Sequence, residues 1–192
     1  MALFIAGLLL FLGVHSLRIV ADGWRSRMLA RLGQPAWKGA YALLSLLGFA
    51  LMVVGFGLAR QTPQQLWMPP LFLRHVSGLL VLLAFVLLAA AYVPHNSIKA
   101  KLHHPMLLAV KLWALAHLLS NSALHDVLLF GAFLLWAVLC FRAARQRDRV
   151  AGTRYPAGRA GATIVTVFAG LAGWALFAFW LHGWLIGVRP FG

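Results

Sequence analysis

Two histidines lie inside strongly apolar stretches of this sequence and are the residues best suited to chemistry. His117 lies in Pro105–Ser120, and His15 lies in the apolar run from Leu8 to Ile19. Lipid offers no water to an imidazole, so a histidine at such a position needs a partner inside the protein. Imidazole is a common ligand of iron and other metals. Two such histidines on different helices therefore predict a metal or haem site.

The residues around His117 share one face of a helix. Trp113 precedes His117 by four residues and Asn121 follows it by four, which is helical spacing. The alternative is structural, with His117 in an interhelical hydrogen bond to a serine or a carbonyl. His104 lies on the opposite face, so we expect it to cap the helix or bind a haem propionate rather than ligate the same centre. We expect Lys111 to face the bundle interior and contact a ligand.

Arg18 lies one helical turn after His15, on the same face. A haem ligated by His15 could direct its propionates toward Arg18, because guanidinium pairs well with carboxylates. The alternative is a histidine near the interface, with Arg18 extended to the lipid headgroups. A shared iron also requires His15 and His117 at similar depth. That holds if the helix of His117 starts outside the hydrocarbon, or if the helix of His15 extends past Ala21.

Composition indicates that these residues sit in membrane helices. The 192 residues are 62% hydrophobic and only 10% charged, whereas an average soluble domain is about 25% charged. Polar surface cannot cover so apolar a chain at this size, so lipid must cover it. We therefore predict an all-α, polytopic membrane helix bundle that forms a single domain over residues 1–192.

Six apolar runs are of spanning length. They are approximately Ala2–Ala21, Trp37–Ala59, Leu71–Val93, Pro105–Ser120, Leu124–Phe141 and Gly161–Ile186. Lysine and arginine are concentrated in the loops after the first, third and fifth runs, whereas the opposite loops and the tail carry only Arg60, Arg74 and Arg189. The positive-inside rule then predicts both termini outside, which is the periplasm for a bacterial inner membrane.

The net charge of +14 has two explanations, nucleic acid and membrane. Because the charge lies in short loops between apolar runs, anionic lipid headgroups explain it better, and we expect no nucleic-acid partner. The single cysteine, Cys140, allows no internal disulfide and no cysteine-based metal cluster. His182, flanked by Trp180 and Trp184, is expected to be an interfacial residue rather than a ligand.

Three segments carry a family resemblance. They are residues 11–18 with His15, residues 41–48, and residues 104–121, which run from His104-Pro105-Met106 through Trp113 and His117. These segments resemble the NnrU family, which includes the plant and cyanobacterial zeta-carotene isomerases as distant relatives. The resemblance implies a polytopic protein that binds haem b. The isomerase branch implies two histidine ligands to the iron, at the positions that His15 and His117 occupy here.

The resemblance leaves three functions open. The first is a haem-b protein of nitrite and nitric oxide metabolism in denitrification, or of redox metabolism, in which nitric oxide could displace one ligand. The second is an enzyme, a haem-dependent cis-trans isomerase of a carotenoid-like polyene. The third is a non-enzymatic membrane subunit or transporter whose histidines make helix contacts. Transport has little support, because the chain contains no inverted repeat.

Overall fold

The computed structural model describes residues 1–191, and its regular elements over that range are helices. In chain order they are α1 (Ala2–Val20), α2 (Asp22–Ala59), α3 (Phe72–Tyr92), α4 (Ser97–Leu102), α5 (Pro105–Ser120), α6 (Leu124–Val150), α7 (Ala160–Leu176) and α8 (His182–Ile186), with a π-helical turn over Phe177–Leu181 between the last two. Five helical segments of this range are long and apolar enough to cross a membrane. The remaining predicted span is α5, a shorter apolar helix of 16 residues. The predicted all-α fold of a multi-pass membrane protein is therefore confirmed.

The long helix α2 consists of two helices joined at a break. Gly33 has φ 77° and ψ 164°, a backbone conformation that side chains with a Cβ rarely adopt. Pro35 follows, and proline has no amide hydrogen to donate to the hydrogen-bond pattern of a continuous helix. The apolar part after the break corresponds to the span predicted from Trp37. The stretch before the break, which the charge pattern predicts as a loop, is helical instead.

The chain forms two compact units by its internal contacts. The first comprises Met1–Leu66 together with Ala123–Leu129, and the second comprises Trp67–Ser122 together with the chain from Phe130 onward. Helix α6 contributes its first turns to the first unit and the rest of its length to the second.

In the first unit α1 and α2 form an antiparallel hairpin with close backbone contact. A Cβ on Gly48 of α2 would lie 2.7 Å from the backbone nitrogen of Phe11 in α1, and a Cβ on Gly55 would collide with the backbone of Phe4. In lipid, where apolar side chains gain nothing by leaving the solvent, such van der Waals contact is a main source of helix association. The glycines therefore hold together the hairpin that carries His15.

The second unit is built on α3, which packs against both α5 and α7. Ser77 of α3 is buried and donates a 2.7 Å hydrogen bond to the carbonyl of Ala116 in α5. On α7, Gly170 allows close approach to α3, since a Cβ there would lie 2.5 Å from Cα of Val86. These contacts fix the three helices that enclose the cavity of this unit.

The connection between α3 and α5 is ordered by one buried asparagine. Asn96 is 1% exposed and caps α4 by accepting a 2.7 Å hydrogen bond from the amide of Lys99. Its side-chain amide donates to the carbonyls of Ala90 and Val93 at the end of α3. This cap converts a stretch that the sequence predicts as a loop into a short helix.

Candidate functional site

A cavity of about 410 Å³ lies within the second unit, between α3, α5, α7, the π turn and the C-terminal segment. Small-molecule sites have volumes of about 300–1,000 Å³ and combine apolar walls with a few polar groups. The walls here are mostly aliphatic and aromatic. The polar side chains that line the cavity are Arg74, Ser77, His117, Ser120, Asn121, His182 and Arg189.

Helix α5 presents His117 to this cavity from its last turn. Nδ1 of His117 lies 2.8 Å from the carbonyl oxygen of Trp113. A carbonyl can only accept, so Nδ1 carries the hydrogen and the lone pair of the neutral ring is on Nε2. The ring of Phe130 stacks on the imidazole with centroids 4.5 Å apart. Histidines that ligate metals commonly donate their other ring N–H to a carbonyl in this way, so His117 is oriented as a ligand would be.

Trp113 and Asn121 line the same cavity as His117. The Trp113 and His117 ring centroids lie 5.3 Å apart, and Trp113 also packs edge-on against Phe130. Asn121 ends α5 with an extended backbone, and its side-chain amide donates a 2.9 Å hydrogen bond to the carbonyl of His117. Trp113 thus forms a wall beside the imidazole, and Asn121 fixes the end of the helix that carries it.

The π turn brings a second imidazole to the same cavity. It spans Phe177–Leu181, and His182 follows directly. A π turn widens the helix by one residue and is frequent at functional sites. Nδ1 of His182 donates a 2.6 Å hydrogen bond to the carbonyl of Val188, which leaves the lone pair on Nε2. The sequence predicts only an interfacial residue here, because nothing in its periodicity marks the π turn.

Two arginines line the end of the cavity where the C-terminal segment meets α3. Arg74 lies in the first turns of α3, and Arg189 lies in the segment after α8; both are exposed. Phe191 packs against Gly78, where a Cβ would lie 2.6 Å from the phenyl ring. The tail is therefore anchored on α3, and it carries Arg189 to the same end of the cavity as Arg74.

His15 lies in the first unit, on the face of α1 that meets α2. Its Nδ1 donates a 2.7 Å hydrogen bond to the carbonyl of Phe11, whose ring stacks on the imidazole with centroids 4.2 Å apart. The ring of Tyr41 on α2 lies 5.3 Å from that of His15. Arg18 is exposed in the last turn of α1. His15 thus has aromatic packing and a fixed tautomer, as His117 has.

The helix that carries His15 ends at Val20. At Ala21 the backbone turns, with φ −143° and ψ 40°, before α2 begins at Asp22. This turn removes one of the two routes by which His15 and His117 could reach similar depth, the continuation of the first helix past Ala21. The other route, a start of α5 outside the hydrocarbon, stays a prediction, as does the pairing of the two histidines on one iron.

His104 lies in a separate polar cluster at the start of α5. Its Nε2 is 2.8 Å from a carboxylate oxygen of Asp148 on α6, and the hydroxyl of Tyr155 donates a 3.0 Å hydrogen bond to the same oxygen. His103 stacks on Tyr155 and is hydrogen-bonded to Arg145. The structure therefore places His104 with Asp148, on a different part of α5 from His117.

Lys111 packs against an aromatic ring of the second unit. Its Nζ lies 3.9 Å from the centroid of Phe141 on α6, which is cation–π distance. This contact gives the lysine a partner on its own face of α5. The predicted contact of Lys111 with a ligand stays a prediction.

Tyr155, in the loop between α6 and α7, has a perturbed acidity. Burial raises the pKa of its phenol above the usual range, and the hydrogen bond to Asp148 and the negative charge of that residue raise it further. Tyr155 is therefore protonated throughout the physiological range and acts as a hydrogen-bond donor within this cluster.

Comparison with known protein families gives a match over nearly the whole chain. A family model with the description "NnrU protein" matches residues 3–190, which is nearly the whole chain. No curated protein and no solved structure matches. The match covers both units and every side chain that lines the cavity up to Pro190.

Proposed function

The chain belongs to the NnrU family, and on this premise we propose that it is an integral membrane protein that binds haem b through His117 and acts in nitrogen-oxide or redox metabolism. The observation that carries the proposal is the environment of one nitrogen atom. Nε2 of His117 has its lone pair available at an apolar cavity, and the carbonyl of Trp113 fixes the tautomer. Imidazole in such surroundings is a common axial ligand of haem iron.

The chemistry of the donor set fits a haem. Within residues 1–191 no three His, Cys, Asp or Glu side chains come close enough to hold a metal ion by themselves. A haem brings four nitrogens of its own and requires only one or two more from the protein. Trp113 and Phe177 supply aromatic walls for its ring, and Arg74 and Arg189 supply partners for carboxylates. The bound group would supply a redox-active iron able to take a small ligand such as nitric oxide.

Two histidines are candidates for the second residue that would hold the haem iron. His15 is the one that the sequence and the family resemblance predict. His182 is the candidate that the cavity adds, because it lines the same space as His117 and also has its lone pair on Nε2. Each candidate donates Nδ1–H to a backbone carbonyl, so tautomer does not distinguish them. The spectra of matched variants do.

We also propose the orientation that the charges favour. The termini lie outside, and the segments around residues 22–38, 96–104 and 142–159 lie in the cytoplasm of a bacterial cell. The polar cluster of His104 and Asp148 then faces the cytoplasm, and Arg74 and Arg189 lie at the outer interface. This orientation places the polar end of the cavity, with His117 and His182, toward the periplasm. His15 lies near the cytoplasmic end of α1, so depth favours His182 over His15 as the second histidine.

Absorption spectra of four alanine variants test the proposal. The purified wild-type protein should show a haem Soret band, and His117→Ala should lose it or shift it to the spectrum of a five-coordinate, high-spin haem. Either His15→Ala or His182→Ala should show the same kind of change, and that variant identifies the second ligand. His75→Ala is the matched control, because His75 is an exposed histidine beside Arg74 at the start of α3. A normal spectrum in His117→Ala would refute the assignment.

A further inference from the structure

The cavity of the second unit is polar at one end and apolar along the rest of its length. Along α3 its lining passes from Arg74 and Ser77 to Val81 and Leu88. At 1.5 Å per residue, the fourteen residues from Arg74 to Leu88 span about 21 Å of helix. The cavity therefore has the shape and polarity of a slot for an elongated amphiphile.

Helix α5 shows the same gradient in the opposite chain direction. Its lining passes from Asn121 and His117 to Trp113 and then to Ala109. The hydrogen bond from Ser77 to the carbonyl of Ala116 sets the register of the two helices, so that their polar residues lie at the same level. The lining residues of α3 and those of α5 therefore both place the polar groups at the same end of the cavity.

The charged groups at the polar end have one sign. Arg74 and Arg189 both line it, and the described lining of the cavity includes no aspartate or glutamate. Guanidinium groups form paired, charge-assisted hydrogen bonds with carboxylates. The cavity therefore favours a ligand whose group at the mouth is anionic.

We infer that this cavity binds an apolar molecule with a terminal carboxylate, which Arg74 and Arg189 hold at the mouth while the apolar body lies along α3. Two sources have this chemistry, the propionates of a haem and the carboxylate of a long-chain fatty acid. The haem case rests on the proposed function; the fatty-acid case does not. Both require the same two arginines.

Two pairs of probes separate the carboxylate from the apolar body. The first pair is cis-parinaric acid and its methyl ester, followed by their own fluorescence in detergent-solubilised protein. The second pair is haemin and haemin dimethyl ester, followed by quenching of tryptophan fluorescence. We expect each acid to bind wild-type protein at least tenfold more tightly than its ester if it is the ligand of this cavity. Arg74→Gln and Arg189→Gln should each weaken that acid about tenfold and leave its ester unchanged.

Arg154→Gln is the matched control, because Arg154 is an exposed arginine of the same unit in the loop between α6 and α7. It should bind every probe as the wild type does. The inference is supported when either acid meets these conditions, and the acid that does so identifies the source. It is overturned when neither acid binds saturably, when acid and ester bind equally, or when the Arg74 and Arg189 variants bind as the wild type does. Failure of the haem proposal alone leaves the fatty-acid pair as a complete test.

Discussion

Three histidines on apolar helices share one feature, a hydrogen bond from Nδ1 to a backbone carbonyl. Nδ1 of His15, His117 and His182 each donates to a backbone carbonyl, at 2.7, 2.8 and 2.6 Å. In lipid an unpaired imidazole nitrogen is costly, and a carbonyl four residues earlier or on a nearby turn satisfies one of the two. A purely structural role and a role as a metal ligand therefore require the same hydrogen bond at Nδ1. The two roles differ only in the group that Nε2 contacts.

The cluster of Tyr155 and Asp148 gives a prediction about pH at the residue scale. In the folded protein the raised pKa of Tyr155 means that the phenol keeps its proton at pH values where an unfolded tyrosine loses it. Stability from this source is therefore complete below the ordinary tyrosine pKa of about 10 and is lost as the pH rises through the higher folded value. Asp148→Asn removes the negative charge next to the phenol, so it should lower the pKa of Tyr155 toward its usual range.

The measurement for this prediction is a titration by near-ultraviolet absorbance of tyrosinate. The chain has three tyrosines, so Tyr155→Phe serves as the control that assigns the highest-titrating one. Identical titration curves for the wild type and Asp148→Asn would contradict the role given to Asp148.

At the scale of elements, close helix packing depends on particular glycines. A Cβ on Gly55 would collide with the backbone of Phe4, whereas a Cβ on Gly57, two residues later on the same helix, would meet nothing within 4 Å among the described atoms. Gly55→Ala should therefore separate α1 from α2 and cost about 1–3 kcal/mol. Gly57→Ala should be neutral or slightly stabilising, because alanine has the higher helix propensity.

Thermal unfolding in detergent, followed by circular dichroism, checks this pair. The two variants have the same change of composition on the same helix, so effects of detergent binding and of overall hydrophobicity cancel. Equal midpoints for Gly55→Ala and Gly57→Ala would show that the contact does not hold the hairpin together.

The sequence predicts the spans better than it predicts the segments between them. All six predicted apolar runs lie on helices, because the length of an apolar run is itself the signal for a membrane helix. Helix α6 continues past the predicted end at Phe141 to Val150, through a basic stretch that the sequence predicts as a loop. The helical start of α2 and the helix α4 were missed, since neither is marked by an apolar run, and α4 is held by the local cap of Asn96. The break at Gly33 and Pro35 explains why the predicted second span starts where it does.

The candidate site was also predicted only in part. The stripe of Trp113, His117 and Asn121 follows from helical spacing alone, and the three side chains line one cavity. The arrival of His182 beside that cavity does not follow, because it depends on the π turn and on the carbonyl of Val188. The convergence of Arg74 and Arg189 depends on how the tail packs on α3, which no local pattern in the sequence records.

For the whole molecule, exposed apolar surface identifies the solvent. Leu43 on α2, Leu79 on α3 and Phe168 on α7 are 68%, 65% and 66% exposed. Soluble proteins rarely leave long apolar helix faces uncovered, whereas a bilayer covers them without cost. These faces, together with basic residues concentrated near the ends of helices and in connecting segments, account for both the composition and the net charge of +14.

The proposed orientation makes a prediction about the whole molecule. In a Cys140→Ser background, which has no other cysteine, a cysteine introduced by Gln61→Cys should react with a membrane-impermeant maleimide in intact cells. A cysteine introduced by Thr153→Cys should react only after the cells are permeabilised. Both positions are exposed in the structure, so access from the correct side is the variable measured. Labelling of Thr153→Cys in intact cells would show that the orientation is the opposite of the proposed one.

We propose that His117 would present Nε2 to a haem in the cavity of the second unit. The most direct measurement is the reduced-minus-oxidised absorption spectrum of protein purified from cells grown with ample iron, for the wild type and for His117→Ala side by side. We expect a haem-b difference spectrum in the wild type that is lost or converted to a high-spin form in His117→Ala. Absence of any Soret band in the wild type, or the same spectrum in both proteins, would contradict the claim.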